Sequence, residues 1–363
     1  MTMPFSVISA GGMHSLAKKK DGSVWSWGKN DHGQLGNAAA SLDFRAKPEQ
    51  VTMPEAVSVS AGGSHSLALH KKDGVISAWG ANAVGQLGDT TTTDRFAPVT
   101  VAKLKQASGI AAGGIHSLAL YKDRVFAWGD NFSGEAGIGG AGDPRTTRVL
   151  IDNFAYAQSI AAGLSCSFAV CDPYSLVFGW GWNVAGKLGI AIGDTADRNR
   201  PTAAAVPAPI VAVSSGALHS LALTASGKVF AWGSNFAGQL GDTIPGASQR
   251  EIPGQVPGLS KIKAIAAGGF HNLALADDGT VWAWGENTSG QLGDGSTTQR
   301  TAPKRVPNLS PVKAIAAGGH HSLAVLTSGK LASWGFNDFG QLGDGTTTSR
   351  SIPGPVIGIS QVG

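Results

Sequence analysis

The sequence predicts an all-β protein, a seven-bladed β-propeller with four antiparallel strands in each blade. Three observations carry this. A Gly-Gly-x-His-Ser-Leu-Ala-Leu element, seen at Gly62 to Leu69, recurs along the chain. Its histidine falls at His14, His65, His116, His219, His271 and His321, with Cys166 in the fourth copy, in steps of 50 to 53 residues. Each copy is followed by Trp-Gly-x-Asn-x-x-Gly, beginning at Trp27, Trp79, Trp128, Trp180, Trp232, Trp284 and Trp334. Helical periodicity is absent, and Gly fills 52 of 363 positions, too many for long helices. Repeats of this length, each unable to bury its own apolar face, stack into arrays. Four short strands per repeat make that array a propeller.

The strands follow in order within a repeat. Val312 to Ala317 alternates with a period of two and reads as the first. His321 to Leu326 is the second. Ser328-Gly329 is the turn after it, matched elsewhere by Asp21-Gly22, Asp73-Gly74, Ser226-Gly227 and Asp278-Gly279. Asp-Gly between apolar runs predicts a type I′ hairpin, in which both central residues need positive φ. Lys330 to Gly335 is the third strand, and a Pro-x-x-Val segment such as Pro303 to Val306 the fourth. The C-terminal Val356 to Val362 matches the start of a unit, Val306 to Val312. The C-terminal strand is therefore expected to pair with the N-terminal blade and close the ring, which protects sheet edges. The whole chain, 1–363, is then one domain.

Composition excludes several classes. Hydrophobic residues at 42% supply a core, so disorder is not expected. The Gly has no three-residue period, which excludes collagen, and no apolar run reaches the roughly 20 residues of a membrane helix. The net charge of +4 is too small and too dispersed to argue for nucleic-acid binding. Cys166 and Cys171 are five apart, so on one strand they face opposite ways and do not bond. Met1 to Lys20 does not read as a signal peptide. Cytoplasmic residence and a monomer are expected. Secretion would follow only if a leader had been trimmed.

These units resemble the regulator of chromosome condensation repeat family, whose signature joins Gly-x-x-His-Ser-Leu-Ala-Leu, Asp-Gly and Trp-Gly-x-Asn-x-x-Gly-Gln-Leu-Gly. The likeness covers essentially the whole chain and implies a seven-bladed propeller. Function does not follow from it, because one fold hosts many activities. The founding member is a nucleotide exchange factor for the GTPase Ran and binds chromatin. Others are regulatory modules, one is a plant ultraviolet-B photoreceptor, and a bacterial relative inhibits β-lactamases through one face. This chain departs from the exchange factor in having neither room for its inserted β-wedge nor its basic N-terminal tail. It also lacks the photoreceptor's Gly-Trp-Arg-His-Thr motif.

No catalytic, metal or cofactor motif is visible: Gly-x-Ser-x-Gly, Walker A, His-Glu-x-x-His and Cys-x-x-Cys are all absent. Ligands to one metal usually lie a few residues apart or converge with second-shell support. The repeat histidines are instead read as structural, each ring donating to a backbone carbonyl at the blade turn. The repeat tryptophans are read as wedges between blades. An arginine recurs at Arg45, Arg95, Arg145, Arg198, Arg250, Arg300 and Arg350. The expected role is pairing with loop aspartates such as Asp89, Asp242, Asp294 and Asp344, with Arg45 and Arg145 the freest.

The first and third connections of each blade should share one face. Their variable positions include Phe132, Trp182, Phe236, Phe270, His320, Phe336 and Phe339, which are expected to gather into an aromatic patch that binds a protein partner. The leading expectation is a non-enzymatic protein-binding module. The alternatives are nucleotide exchange on a Ran-like GTPase and inhibition of an extracellular enzyme.

Overall fold

Each repeat folds as one four-stranded antiparallel sheet whose strands neighbour each other in chain order. The computed structural model describes residues 6–38, 44–152, 154–207, 209–242, 248–309 and 311–363. Seven such sheets span 8–51, 56–100, 109–150, 157–203, 210–255, 262–305 and 312–355, numbered here as blades 1 to 7. In blade 7 the strands are Val312–Ala317, His321–Leu326, Leu331–Gly335 and Arg350–Pro355. The innermost strands surround the central axis. Among the described residues the one helical element is a single 3-10 turn, Val184–Gly186. None of their helices is long and apolar enough to cross a membrane.

Three expectations change in detail. The outermost strand starts earlier than Pro-x-x-Val: in blade 6 it is Arg300–Arg305. The repeat arginine pairs across the ladder with the glycine after each tryptophan, as in Gly285 with Arg300, and so opens the strand. The Asp-Gly turns are not type I′. Gly22 is at φ +84°, whereas Asp21 stays out of the left-handed region. Its carboxylate instead accepts the Ser23 N–H at 2.9 Å, while the Gly22 N–H reaches the Lys19 carbonyl at 3.0 Å. This is a tight turn followed by one left-handed glycine, the pattern of a three-residue hairpin loop. Finally, the C-terminal segment does reach the N-terminal blade, but by one antiparallel bridge, Lys19 to Val362, with the Lys20 N–H on the Gln361 carbonyl. Blade 1 already holds four strands of its own, so the segment latches onto it without supplying one. The seam is instead sealed by packing, with Ile8, Ala17 and Trp27 of blade 1 against Leu323, Val325 and Val356.

The blades are joined by a repeating circuit of hydrogen bonds. All seven repeat tryptophans are fully buried. Each donates its Nε1–H to a backbone carbonyl of the preceding blade: Trp79 to Gln34 at 2.9 Å, Trp284 to Gln239 at 3.0 Å, and Trp27 to Gln341 at 2.8 Å across the seam. The serine after each repeat histidine donates to the same carbonyl, as Ser66 does to Gln34 at 2.9 Å. That serine oxygen in turn meets Nε2 of the preceding blade's histidine, at 2.9 Å between His14 and Ser66 and between His321 and Ser15. The histidines therefore bond across blades, not to their own turn. The serine proton is committed to the carbonyl, so the histidine must donate from Nε2. Asn272 shows the same polarity. It replaces the serine, accepts from His219 through Oδ1 at 2.7 Å, and donates through Nδ2 to the Gln239 carbonyl at 2.8 Å.

Burial keeps these rings neutral. Desolvation pulls His14, His65, His116, His271 and His321 down to about 3 and His219 to about 4. A second ring of bonds lies nearer the axis, where backbone N–H groups of each Gly-Gly turn donate to the next: Gly12 to Gly62, Gly63 to Gly113, and so on to Gly319 on Gly11. A Cβ on Gly62 would meet the His65 ring and the Gly113 carbonyl, so this approach requires glycine.

Blade 4 breaks the pattern and repairs it. Cys166 is too short to reach Ser220. Ser215, at the end of the blade 5 innermost strand where other repeats carry alanine, bridges the gap, 3.3 Å from Cys166 Sγ and 3.0 Å from Ser220 Oγ.

These histidines predict acid lability. Their folded pKa values lie below the ordinary 6.5. The unfolded chain therefore binds more protons between about pH 3 and 6.5, and stability is lost as pH falls through that window. Urea midpoints should hold above pH 7 and drop steeply between about pH 6.5 and 5.5, above the carboxylate range, with several protons taken up per molecule on unfolding. An uptake of one proton or fewer would show that the rings already titrate in the folded state.

Candidate functional site: the loop face

An antiparallel four-stranded sheet sends its first and third connections out at one end. Here they are also bonded together. The N–H of the residue after each Trp-Gly donates to the carbonyl of the residue before each repeat histidine or Cys166: Lys29 to Met13, Ala81 to Ser64, Asp130 to Ile115, Trp182 to Ser165, Ser234 to Leu218, Glu286 to Phe270 and Phe336 to His320. The variable residues of the two loops are thereby set side by side on one face in every blade. The motif asparagine holds the third loop in place. Asn82 accepts the Leu87 N–H through Oδ1 and donates from Nδ2 to the Thr91 and Thr93 carbonyls, and Asn337 does the same with Leu342, Thr346 and Thr348. The sequence displayed this asparagine in every repeat, but its role needed the loop's return path.

The aromatic residues do not form one patch. Phe236 of blade 5 stacks edge-to-face on Phe270 of blade 6, with centroids 4.9 Å apart. His320, Phe336 and Phe339 of blade 7 form a second group, at 6.5 and 6.4 Å. Polar contacts join the two groups and extend them. Glu286, bonded through its backbone to Phe270, meets His320 Nδ1 at 3.2 Å. Lys29 Nζ lies 5.1 Å from the Phe339 ring centre and 2.6 Å from Asp31. His32 then meets Asp94 of blade 2 at 2.8 Å. The result is a continuous arc from blade 5 round to blade 2, half of it aromatic and half of it charged. The His320 hydrogen bond holds the Glu286 carboxyl below its usual range.

Phe132 and Trp182 stand apart from this arc. Phe132 is 78% exposed on blade 3. Trp182, half-buried on blade 4, lies over Lys187, whose Nζ is 4.7 Å from its ring and also donates to the Ala217 carbonyl. Lys187 and Glu135 occupy the glutamine position of the Gln-Leu-Gly element, and both are buried. Burial pushes the Glu135 carboxyl up to about 7. Sequence reading passed over both, although their departure from glutamine was in view.

The arginines close the loops. Arg95, Arg198, Arg250, Arg300 and Arg350 pair with Asp89, Asp194, Asp242, Asp294 and Asp344. Burial raises the Asp89 and Asp344 carboxyls, but hydrogen bonds from Thr91 and Thr346 more than offset it and leave both lowered. Arg45 is not free as expected, because it meets Glu49 at 3.1 Å. Among the described residues Arg145 pairs with no carboxylate, and its Nε is buried without a partner. The cationic ring is thus largely neutralised within the loops.

Among the described residues no three His, Cys, Asp or Glu side chains form a metal cluster. The central channel, about 390 Å³, is lined by Gly, Ala, Ser and a few larger aliphatic residues, with no titratable side chain. The arrangement offers a rigid surface for contact, with side chains suited to recognition.

The profile of the RCC1-like domain matches residues 3–306 and 205–363. The ultraviolet-B receptor UVR8 of Arabidopsis thaliana is 32% identical over 80% of this chain and 67% of its own length. The human E3 ubiquitin-protein ligase HERC2 is 32% identical over 74% of this chain, which spans only 6% of that protein. Human WBSCR16 superposes with a TM-score of 0.82 at 23% identity, covering 92% of this chain and 93% of that one. Yeast RCC1 (Prp20), solved with Kap60 bound, gives 0.79 at 24% identity, covering 87% and 79%. At these identities the solved structures speak to the fold.

Exposure separates face from core. Phe132→Ala and Phe236→Ala should shift the melting temperature by no more than about 2 °C, as surface substitutions do. Trp232→Ala, by removing a buried wedge and its hydrogen bond, should cost about 3–5 kcal/mol. Differential scanning calorimetry on the three variants checks this, and a large loss for Phe236→Ala would place that ring in the core.

Proposed function

We propose, since the chain belongs to the RCC1-like domain family, that it is a non-enzymatic module that binds a partner protein through its loop face. The carrying observation is the arc from Phe236 to Asp94, in which exposed or half-buried rings alternate with ion pairs across five consecutive blades. Aromatic anchors within a polar surround are the usual composition of a protein-binding hot spot. The loops bearing them are pinned by the motif asparagines and by the backbone link to the neighbouring turn, so little ordering entropy is lost on association.

The comparisons support this reading by analogy. One solved relative is described by its binding to Gsp1p and histones, and another structure holds yeast RCC1 with Kap60. Nucleotide exchange on a Ran-like GTPase is the competing activity, and the absence of a wedge-sized insertion between repeats weighs against it.

Wild-type protein and a Phe236→Ala/Phe336→Ala variant, each immobilised, should differ in what they capture from the native host. One species retained by wild type should bind the variant about tenfold more weakly or worse. Equal capture by both would remove the loop face from the proposal. Accelerated release of fluorescent nucleotide from Ran would replace passive binding with exchange.

A further inference from the structure

The face opposite the loops carries a cleft of about 640 Å³ between blades 3 and 4. Its walls come from Asp152 and Phe154, Ala155 and Tyr156 between the two blades, the 172–174 turn of blade 4, and a few residues of the flanking strands. The floor is aromatic: Phe154 packs edge-to-face on Phe178 at 5.2 Å and on Trp180 at 5.9 Å. At the lip Tyr156 and Tyr174 are 64% and 72% exposed. The corresponding turns of blades 1 and 6 carry Asp-Gly with no aromatic ring. All three tyrosines of the chain lie at this end of blades 3 and 4. Cys171 also lines the cleft, but burial pushes its thiol up to about 12, so it serves as wall and not as nucleophile.

The charges decide what would fit. Arg124 and Arg200 line the cleft, and among the described residues neither pairs with a carboxylate, but the Arg200 guanidinium packs against Gly139 of the blade 3 loop. Asp152 and Asp172 also line it, and among the described residues neither pairs with a cation. The surroundings tip this balance. Lys103, Lys105, Lys122 and Arg148 lie at the same end of the neighbouring strands and turns, against Asp123. More broadly, the ends of the strands away from the loop face bear most of the chain's lysines. The positive charge is thus spread round this whole face, and beside the cleft Lys103, Lys105, Lys122, Arg124 and Arg148 outnumber Asp123, Asp152 and Asp172. Apolar volume of this size suits one bulky side chain and its neighbours, and the surrounding potential favours negative charge beside it.

We propose that this cleft is a second docking site, which takes a short extended acidic peptide segment carrying one aromatic side chain. The ring would enter between Tyr156 and Tyr174 onto Phe154, and the flanking carboxylates would meet Arg124 and Lys122 at the lip. This site is independent of the loop-face reading. Together the two would let one rigid ring hold two partners on opposite sides.

The probe is a fluorescein-labelled peptide, Glu-Glu-Pro-Phe-Pro-Glu-Glu, followed by anisotropy. Saturable binding is expected. It should weaken about tenfold or more in the Tyr156→Ala/Tyr174→Ala and Lys122→Gln/Arg124→Gln variants, with their melting temperatures unchanged. It should also weaken when alanine replaces the peptide's phenylalanine, when glutamine replaces its glutamates, and between about 50 and about 300 mM salt. Phe236→Ala/Phe336→Ala should bind it like wild type, which separates this site from the loop face. Absence of saturable binding up to about 1 mM, equal binding by the alanine peptide, or indifference to the cleft variants would overturn the proposal. So would displacement by single-stranded oligothymidylate that itself binds more tightly than the peptide, since the surface would then be a nucleic-acid site.

Discussion

The structure depends on a circuit of buried hydrogen bonds that leaves each blade only to enter the next. In each step a carbonyl of one blade accepts both the indole N–H and the serine hydroxyl, or its replacement, of the following blade, and in six of the seven steps that group receives the histidine N–H of the blade before. Apart from the Ser215–Ser220 link that stands in for the missing histidine, none of these bonds lies within a blade. A single repeat would leave a buried imidazole, an indole N–H and a carbonyl unpaired, at a cost of about 1–3 kcal/mol each. Seven repeats pair the histidine Nε2, the indole N–H and the carbonyl only if the last meets the first, which Trp27 on Gln341 and Ser15 on His321 accomplish. Closure is therefore an electrostatic requirement of the repeat, and the short C-terminal bridge is an addition to it.

The irregular blades show how narrow that requirement is. The circuit tolerates Asn272 for serine because an amide also offers one acceptor and one donor in the right order. It tolerates Cys166 for histidine because Ser215 occupies an alanine position and spans the missing length. At the axis the glycine carbonyls leave little space, and where Leu164 replaces a glycine the inter-blade bond lengthens to 3.4 Å. Substitution is allowed where the sense and reach of the donor are preserved.

Because the circuit and the apolar packing between blades lie in the interior, the two faces are free for other work. The loop face keeps its arginines neutralised and presents an arc of rings and ion pairs on loops that are held in place. The opposite face keeps its turns short and gathers the lysines. Blades 3 and 4 depart most from the repeat, and they do so on both faces: Glu135 and Lys187 are buried beneath the loops, and the tyrosine-lipped cleft opens at the other end.

The fold was legible in the sequence because its cause is local and repeated. A histidine, a turn glycine and a tryptophan at constant spacing state the strand order, the blade count and the shared face of the loops. The roles of the asparagine and the serine were present in the letters but not readable, since each bonds to residues brought near only by the loop's return or by the next blade. The candidate site was legible residue by residue but not as a surface. Phe236 and Phe270 are far apart in the chain and touch, while Phe132 and Trp182 satisfy the same sequence criterion and touch none of the others. The cleft went unread because its tyrosines, arginines and connection come from four separate segments. Sequence alone determined what each blade is, because strand alternation and turn chemistry act over a few residues. The tertiary structure decided which side chains of different blades meet and where the charge collects, because those depend on distances across the ring that no single repeat encodes.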